Sequence, residues 1–323
     1  MTIEQFFSGK RVLITGGTGS FGQKILERLL KTDVSRVYIF SRDEKKQWDM
    51  RQAYASSRVQ FIVGDVRDYP RVEEAMMGKA IDVVYHAAAL KQVPQCEEHP
   101  FEAVKTNIIG AQNVKLAAIR AGVRLVVAIS TDKAVKPVNA MGMTKALQER
   151  IFLSEHNSTR FVCVRYGNVL GSRGSVVPFF HSQLKAGAPL SITDPAMTRF
   201  MLTLDQAIDL VFFATLSHEG NVVYVRKMPA ANIVELAEVM IEEAGESPST
   251  YPIHFVGIRP GEKVHEILVS EEEMLRSAEF ADYFCIFPFG CYCSNKHGEY
   301  ASDLTHRMSK DEIRDMLKGD RQL

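Results

Sequence analysis

The chain has 323 residues, of which 46% are hydrophobic and 24% charged, as in an ordinary soluble globular protein. Its 39 basic and 39 acidic residues cancel, so no net charge attracts nucleic acid or an anionic membrane surface. No apolar run approaches the roughly 18 residues that span a bilayer, and MTIEQFFSGKR lacks the apolar core of a secretory leader. We therefore expect a reduced, cytoplasmic protein with no membrane or nucleic-acid partner.

Short apolar segments alternate with longer amphipathic ones in the first half of the chain. The predicted strands are RVLIT (11–15), RVYIF (36–40), VQFIV (59–63), IDVVYH (81–86), RLVVAIS (124–130) and FVCVRYGN (161–168). This alternation indicates right-handed βαβ units and an α/β fold, a Rossmann-type doubly wound parallel sheet. We predict an NADP-binding domain over 1–170 and a smaller α/β substrate lobe over 171–285, from which some segments return to the first domain. A tail over 286–323 is expected to contact substrate or another subunit.

A glycine-rich loop, ITGGTGSFG, follows the first predicted strand. Gly16, Gly19 and Gly22 stand between a strand and a helix, where a tight turn and the close approach of a pyrophosphate both exclude a Cβ. The amino terminus of the helix adds free N–H groups and a positive dipole end. A simple turn is the alternative, but the further βα units favour a dinucleotide site.

The second strand ends in IFSRDEKK, which bears on the choice of dinucleotide. An acidic residue there usually binds the ribose 2′-hydroxyl of NAD. Ser41 and Arg42 stand there instead, with Lys46 behind, and a guanidinium suits the 2′-phosphate of NADP. We expect NADP rather than NAD; a solvated basic helix start is the alternative. Asp65, after the third strand, is expected to meet the adenine amino group or to cap the next helix.

Polar residues also follow the fifth strand, in AISTDKAVKP. Thr131, Asp132 and Lys133 place a hydroxyl, a carboxylate and an amine at one strand tip, which suits an acid–base set facing a nicotinamide. Lys145, on the next helix, is expected to bind the nicotinamide ribose. A turn with a surface ion pair is the alternative. Asn107, unusual on an apolar helix face, either orders the active-site backbone or is a buried, satisfied amide.

Nine motifs in serial order resemble a known family. They are TGGTGSFG, SRDEKKQ, GDVRD, HAAALKQVP, TNIIGAQNV, STDKAVKPVNAMG, RYGNVLGSRGSVVPFF, ITDPAMTRFMLT and RPGEKVHEIL. From about residue 8 to about 285 the chain resembles the inverting UDP-N-acetylglucosamine 4,6-dehydratases, extended short-chain dehydrogenases/reductases of bacterial polysaccharide synthesis. The resemblance implies oxidation at C4, elimination of water across C5 and C6, hydride return to C6 and inversion at C5, without net redox change.

The resemblance also implies roles for individual residues. Asp132 would protonate the departing C6 hydroxyl, and Lys133 would remove the C5 proton. For that, Lys133 must be partly neutral, which we expect desolvation and the nearby Lys145 to favour. Further cofactor contacts are expected from Thr18, Ser20, Phe21, Val66, Ala87, Ala88 and Ala89.

Met141 stands where most members of this family carry a tyrosine. Methionine is neither an acid nor a base, so we expect Lys133 to take the C4 hydroxyl proton first and the C5 proton later, with Thr131 or a water as relay. The stretch resembles the subgroup with combined 4,6-dehydratase and 5-epimerase activity, in capsule and O-antigen synthesis, which carries methionine there. A UDP-sugar 4-epimerase and a non-catalytic NADP-binding sensor are the alternatives.

Six residues are expected to hold the substrate, which the resemblance identifies as UDP-N-acetylglucosamine: Lys91, Asn168, Arg173, Arg199, Arg259 and Glu262. The three arginines are predicted on loops of the smaller lobe, where they would supply the cations that a diphosphate needs. Singly, an arginine is more typical of a solvated surface, and Asn168 equally suits an Asx turn. The resemblance favours Arg259 and Glu262, the latter on the uridine ribose, and implies a homo-oligomer, either a dimer or a hexamer.

The five cysteines are odd in number, and three of them cluster in FCIFPFGCYCSNKH. Cys285, Cys291, Cys293 and His297 suggest zinc ligands. However, the C-x-C spacing lacks a second paired half-site, so no metal is expected.

Overall fold

The computed structural model describes residues 1–154, 158–171, 175–217, 219–288 and 297–321. Its strands are β1 (Arg11–Thr15), β2 (Arg36–Ser41), β3 (Val59–Val63), β4 (Val83–His86), β5 (Leu125–Ile129), β6 (Arg160–Arg165), β7 (Asn168–Val169), β8 (Leu190–Ile192), β9 (Thr198–Leu202), β10 (Val222–Arg226), β11 (Ala230–Asn232), β12 (Ile253–Phe255), β13 (Ile267–Val269), β14 (Ser277–Glu279), β15 (Tyr283–Ile286) and β16 (Tyr300–Ala301).

The α-helices are α1 (Ile3–Phe7), α2 (Ser20–Leu30), α3 (Glu44–Tyr54), α4 (Tyr69–Met76), α5 (Val93–Glu98), α6 (Pro100–Ala103), α7 (Gly110–Arg120), α8 (Ala140–Leu153), α9 (Val176–Lys185), α10 (Leu204–Leu216), α11 (Ile233–Glu243), α12 (Glu271–Leu275) and α13 (Lys310–Arg321). A π-helical segment, Val104–Ile109, precedes α7, and a 3₁₀ turn, Asp132–Ala134, follows β5. Within the part of the chain that the structure describes, no helix has the length and apolar character to cross a membrane.

One large sheet holds nine strands in the order β14-β15-β10-β6-β5-β4-β1-β2-β3. The strands from β3 to β10 pair in parallel, whereas β15 and β14 run antiparallel at the far edge. The order 3-2-1-4-5-6 within it is that of the doubly wound dinucleotide-binding fold. The predicted fold class is therefore confirmed.

The central strands are long apolar runs because helices cover both faces of the sheet. Val126, Val127 and Ala128 of β5 and Val162 of β6 are completely buried. The sixth strand is shorter than predicted and ends at Arg165. Residues 168–169 leave the sheet and form β7, which pairs with β9 in a separate three-stranded sheet.

A second apolar core lies under the smaller sheets, where helices α9, α11 and α13 meet. Its fully buried members include Phe180, Leu236 and Ile241, and Ile313 and Leu317 of α13 complete it. The described part of the tail is thus built into this lobe. Strands β10, β14 and β15 lie in the range expected for the lobe but belong to the large sheet.

A buried ion cluster forms around Arg165 at the end of β6. The guanidinium of Arg165 donates to both Glu149 oxygens at 2.8 and 2.6 Å and to both Glu273 oxygens at 2.8 Å, linking β6, α8 and α12. Ser130 donates a further hydrogen bond to Glu149. Burial alone would raise the pKa of Glu273, but the Arg165 guanidinium lowers it to about 2. Both carboxylates share the Arg165 guanidinium, and Arg276 lies 3.7 Å from Glu273 as a second cation.

Replacement of that cation is expected to destabilise the fold strongly. Arg165→Ala leaves the buried Glu149 carboxylate without its ion-pair partner and Glu273 with only the Arg276 guanidinium, 3.7 Å away, which should lower the free energy of unfolding by about 3–5 kcal/mol. Lys31→Ala, which removes the exposed Lys31–Glu27 pair on α2, should cost less than about 1 kcal/mol. Urea denaturation followed by circular dichroism measures both. Equal small losses in the two variants would show that the cluster contributes little.

Candidate active site

The loops after β1 and β4 form a narrow cradle at the carboxyl edge of the sheet. Gly16 has φ +66°, and a Cβ on it would come within 2.7 Å of the Ala88 nitrogen and 2.8 Å of the Ala87 carbonyl carbon. Gly19 is the N-cap of α2, where the free N–H groups of Ser20 and its neighbours begin. Such backbone crowding around a helix amino terminus fits a pyrophosphate group.

The remaining residues predicted to contact the cofactor surround this cradle. Ser20 is exposed, whereas Phe21 is half-buried and stacks on Tyr166 with ring centroids 6.1 Å apart. Gly22 and Val66 are buried, and Ala87, Ala88 and Ala89 are half-buried.

The end of β2 presents a hydroxyl and a guanidinium, as the sequence suggests. The Ser41 and Thr18 hydroxyls are 2.8 Å apart, and both side chains are buried. Arg42 is exposed, with Nη1 3.5 Å from the Asp65 carboxylate. Lys46 pairs with Asp43 at 2.6 Å, at the start of α3. The exposed Arg42 guanidinium is thus the group best placed for an anion.

Asp65 does not cap the next helix. The N-cap of α4 is Asp68, whose side chain accepts from the Arg71 N–H. Asp65 instead accepts two hydrogen bonds from the Arg67 guanidinium, at 2.9 and 2.6 Å. Burial would raise the pKa of Asp65, but Arg67 lowers it. The capping alternative is therefore wrong.

The predicted acid–base set lies together at the tip of β5. The Thr131 hydroxyl donates to Asp132 Oδ1 at 2.7 Å, and Lys133 Nζ lies 3.2 Å from the same oxygen. Asp132 is 1% exposed, and its other oxygen, Oδ2, is buried without a hydrogen-bond partner. A carboxyl with one open oxygen in a buried place suits a group that gives a proton to a bound molecule.

A second buried carboxylate, which the sequence did not single out, completes the set. Glu266 Oε1 lies 3.2 Å from Lys133 Nζ and 3.8 Å from Arg199 Nε. Its Oε2 is buried and also lacks a partner. Glu266 stands in RPGEKVHEIL, just before β13, and local pattern alone does not reveal a contact with a residue so far away in the chain. Lys133 therefore bridges two carboxylates.

The charge state of Lys133 differs from the sequence-based expectation. Burial would lower its pKa, but Asp132 and Glu266 raise it above the ordinary lysine value. Lys145 does not face Lys133, so the expectation of a partly neutral Lys133 is wrong for this structure. Burial raises the pKa of Asp132, Lys133 offsets part of this increase, and Glu266 adds to it.

Lys145 lies on α8, buried beneath the strand tip. Its Nζ donates to the Ile129 carbonyl at 2.5 Å and to Gln148 Oε1 at 2.7 Å. Burial lowers the pKa of Lys145 to about 8. The helix reaches this place because Gly142 has no Cβ, which would lie 2.2 Å from the Lys133 carbonyl oxygen. Helix α8 and the acid–base turn are therefore in direct backbone contact.

Met141 points into a small apolar cluster. It is 4% exposed and packs with the buried Cys96 and Ala103, against Leu90 and Val93. The Cys96 thiol belongs to this cluster, and burial raises its pKa. At this position the site thus has an apolar wall, which is the usual role of methionine.

Asn107 lies in the π-helical segment and is completely buried. Its side chain accepts from the Leu90 N–H at 2.8 Å and donates to the Leu90 carbonyl at 3.0 Å and to the Thr144 hydroxyl at 2.9 Å. Every polar atom of the amide is therefore used, and the loop after β4 is tied to α8. Single π-helical turns often mark functional sites.

The residues expected to bind the substrate are only partly brought together. Asn168 is half-buried in β7, in register with Met201, and its Oδ1 has no partner. Lys91 is exposed after β4, and Arg259 is exposed near the half-buried Glu262, whose carboxylate accepts from the Arg259 N–H at 3.4 Å. Arg173 lies outside the described residues.

Arg199 was predicted on a loop, and this prediction is wrong. It belongs to β9, is 8% exposed, and donates to the carbonyls of Lys263 and Val264 at 2.9 and 3.0 Å. Most of the hydrogen bonds of the Arg199 guanidinium therefore go to backbone carbonyls of the segment before Glu266.

The cysteine-rich segment falls largely outside the described residues, among them Cys291 and Cys293. Cys285 is a buried cysteine in β15 and forms no disulfide bond with another described residue. His297, the first described residue after this gap, is exposed. Among the residues that the structure describes, no group of three or more His, Cys, Asp or Glu side chains could hold a metal ion.

Comparison with known proteins agrees with this geometry. A UDP-glucose 4-epimerase of Rickettsia akari is 47% identical, and one of Rickettsia canadensis is 43% identical, each over 96% of both chains. The X-ray structure of Pen from Bacillus thuringiensis is 40% identical, covers 98% of this chain and 99% of its own, and superposes with a TM-score of 0.92.

More distant structures share the fold. DesIV, a dTDP-glucose 4,6-dehydratase from Streptomyces venezuelae solved with NAD and TYD bound, is 21% identical with a TM-score of 0.71, over 79% of this chain and 86% of its own. A family model described as polysaccharide biosynthesis protein matches residues 12–288. This match spans most of the chain, including the glycine-rich loop and the acid–base set. The chain therefore belongs to the polysaccharide biosynthesis protein family, on a short-chain dehydrogenase/reductase fold.

Proposed function

We propose that this protein is an inverting nucleotide-sugar 4,6-dehydratase that acts on UDP-N-acetylglucosamine. The product would be UDP-2-acetamido-2,6-dideoxy-β-L-arabino-hex-4-ulose, a precursor for capsule, O-antigen or related glycans. The observation that carries the proposal is the buried Asp132 carboxyl beside Lys133 at the tip of β5. Its Oδ2 atom has no hydrogen-bond partner. An acid next to an amine is what an elimination of water from a sugar requires.

The cofactor is proposed to be NADP, held by the cradle around Gly16. When bound, the nicotinamide would accept a hydride from C4 of the sugar and later supply it to C6. The exposed Arg42 at the end of β2 supports a 2′-phosphate, since a guanidinium binds phosphate through two parallel hydrogen bonds. Lys145, whose pKa burial lowers to about 8, is proposed to bind the ribose of the nicotinamide half.

The ionised pair at the strand tip reaches its reactive form by an internal proton transfer. One proton moves from Lys133 Nζ to Asp132 Oδ1, over 3.2 Å, and leaves a neutral amine beside a neutral carboxylic acid. The amine would then take the C4 hydroxyl proton, with Thr131 as relay, and release it to solvent before it takes the C5 proton. The acid protonates the departing C6 hydroxyl. Return of a proton to C5 from the opposite face would give inversion.

A UDP-sugar 4-epimerase is the second candidate, because the curated Rickettsia relatives carry that name. An epimerase needs only one proton transfer at the C4 hydroxyl and a ketone that can turn over in the site. It has no step that uses a carboxylic acid at C6. The Asp132–Lys133 pair therefore favours the dehydratase.

Proton NMR of the protein with UDP-N-acetylglucosamine in D₂O tests the proposed function. A dehydratase should produce a new C6 methyl signal and incorporate deuterium at C5. An epimerase would instead produce the C4 epimer with an unchanged C6 methylene. No change, with NADP bound, would contradict both and indicate a different sugar or a non-catalytic protein.

Substitutions in the acid–base pair should stop the reaction at different points. Asp132→Asn keeps the shape but cannot protonate the C6 hydroxyl, so turnover should fall by about 10²–10⁴-fold. Because Asp132 raises the pKa of Lys133, its loss should let the amine lose its proton to solvent instead, and reduced nicotinamide should accumulate at 340 nm at alkaline pH. Lys133→Met should abolish this reduction as well, because it removes the proposed base at C4. Asp49→Asn, in an exposed pair with Lys45, serves as the control. If Lys133→Met still reduces the cofactor, Lys133 is not the C4 base.

The cofactor preference should depend on Arg42. Arg42→Ala is expected to weaken NADP binding by about tenfold or more, since a hydrogen bond to a charged group contributes about 1.5–3 kcal/mol, and to leave NAD binding nearly unchanged. Lys45→Ala, in the first turn of α3, removes a cation of the same charge as a control. Isothermal titration of both nucleotides measures the ratio. Equal weakening of NADP and NAD would contradict a 2′-phosphate site.

A further inference from the structure

Glu266 stands in the centre of the acid–base set without an assigned role. We infer that Glu266 is the positioning residue of this set: it holds the Lys133 amine between two carboxylates and keeps the exchangeable proton within the cluster. This inference rests on the proposed function for its chemistry. Its geometric basis is the symmetric placement of Lys133 Nζ, 3.2 Å from Asp132 Oδ1 and 3.2 Å from Glu266 Oε1.

The backbone of Glu266 is held from two sides. Its N–H donates to the Ser302 hydroxyl at 2.9 Å, and the Ser302 N–H donates to the Glu266 carbonyl at 2.8 Å. On the other side, the Arg199 guanidinium binds the carbonyls of Lys263 and Val264. The carboxylate is therefore presented to Lys133 by a fixed segment rather than by a free loop.

The side chain is not fully used by these structural contacts. Its exposed fraction is only 3%, and Oε2 has no hydrogen-bond partner. A carboxylate that served only to stabilise the fold would be expected to have both oxygens satisfied, as Glu149 and Glu273 do in the Arg165 cluster. Because Oε2 has no hydrogen-bond partner, the Glu266 carboxylate is not fixed by a second contact and can adjust when the charge on Lys133 changes.

Five charged groups face one another here, and their signs decide what Glu266 does. Asp132 and Glu266 are the carboxylates, and Lys133, Arg199 and Lys263 are the cations. Glu266 raises the pKa of both Asp132 and Lys133, whereas Arg199 lowers that of Lys133. The two increases caused by Glu266 keep protons on the Asp132–Lys133 pair, and Arg199 opposes the one on Lys133. Loss of the Glu266 charge should therefore lower both pKa values and empty the pair of its proton at a lower pH.

The effect of Glu266 on the Lys133 proton is needed for the proposed proton transfer from Lys133 to Asp132. The proton that moves from Lys133 Nζ to Asp132 Oδ1 must be present in the cluster when the substrate binds. Lys133 supplies it only while the amine is charged in the resting enzyme. With Glu266 in place, the pair holds this proton over a wider pH range, and the amine stays within reach of Asp132. Glu266 thus acts through Lys133 and need not touch the sugar.

The test is the pH dependence of Lys133 acylation, measured by trace labelling with acetic anhydride and peptide mass spectrometry. Only the neutral amine reacts, so the midpoint reports the lysine itself and not turnover. In Glu266→Gln the midpoint should fall by about one pH unit or more, because a neighbouring anion has been removed. Glu266→Asp, which keeps the charge, should stay closer to the unchanged protein. Glu279→Gln, in the distant Lys227 pair, should not shift it.

Steady-state kinetics adds a second readout. In Glu266→Gln, the fall of kcat on the alkaline side of its pH profile should move to lower pH, with KM little changed. A merely structural defect would lower the amount of active protein but would leave the pH of this fall unchanged. An unshifted labelling midpoint in folded Glu266→Gln would overturn the inference. If Glu266→Gln does not fold, the labelling midpoint of Lys133 in the unsubstituted protein is the test. A midpoint above the ordinary lysine pKa of about 10.4 would support the inference on Glu266, and a midpoint at or below that value would overturn it.

The two proposals can fail separately. If the unchanged protein does not convert the sugar, the proposed dehydratase function fails, and the labelling midpoints still decide the role of Glu266. If the sugar is converted and the midpoints do not differ, only the inference on Glu266 fails.

Discussion

The ammonium group of Lys133 is the contact on which the geometry of the site depends. It lies between Asp132, at the tip of β5, and Glu266, which comes from the other end of the chain and is held by Ser302. Two carboxylates buried to this degree would be costly without a shared cation. The turn after β5 and the segment before β13 are therefore constrained to meet at this amine. Arg199 adds a second, more distant positive charge.

In the proposed reaction, the same contact would take the place of the tyrosine that the site lacks. Met141 lies in an apolar cluster and offers no proton. The ionisable groups of the site are instead gathered at the strand tip, where a carboxyl and an amine are within proton-transfer distance. Lys145, buried below, is held by the Ile129 carbonyl and Gln148. A charged resting pair that becomes neutral by moving one proton keeps both an acid and a base available.

The parallel sheet and its loops were predictable from local pattern. Buried parallel strands are continuous apolar runs, and β1 and β3 begin and end where the sequence predicts. The crowded glycine loop and the Thr131–Lys133 turn follow from residue types placed directly after strands. These features depend on neighbours in the chain, which a single sequence displays.

The remaining features depend on partners far away in the chain. Arg199 looked like a loop residue because its surroundings are punctuated by glycine and proline, yet strand pairing with β11 buries it. Lys133 was expected to be partly neutral because Glu266 was not recognised as a neighbour. Strand β15 pairs antiparallel with β10, and β14 pairs antiparallel with β15, so both extend the large sheet. No local sequence pattern specifies these pairings. Tertiary contacts decided each of these cases.

The most direct test of the central claim is to follow hydrogen from C4 of the sugar. UDP-N-acetylglucosamine carrying deuterium at C4 would be converted and the product analysed by mass spectrometry and deuterium NMR. If Asp132 and Lys133 carry out an elimination with internal hydride return, the deuterium must appear in the C6 methyl group. Deuterium that remains at C4 of a product with an intact C6 hydroxyl would show an epimerase and contradict the account.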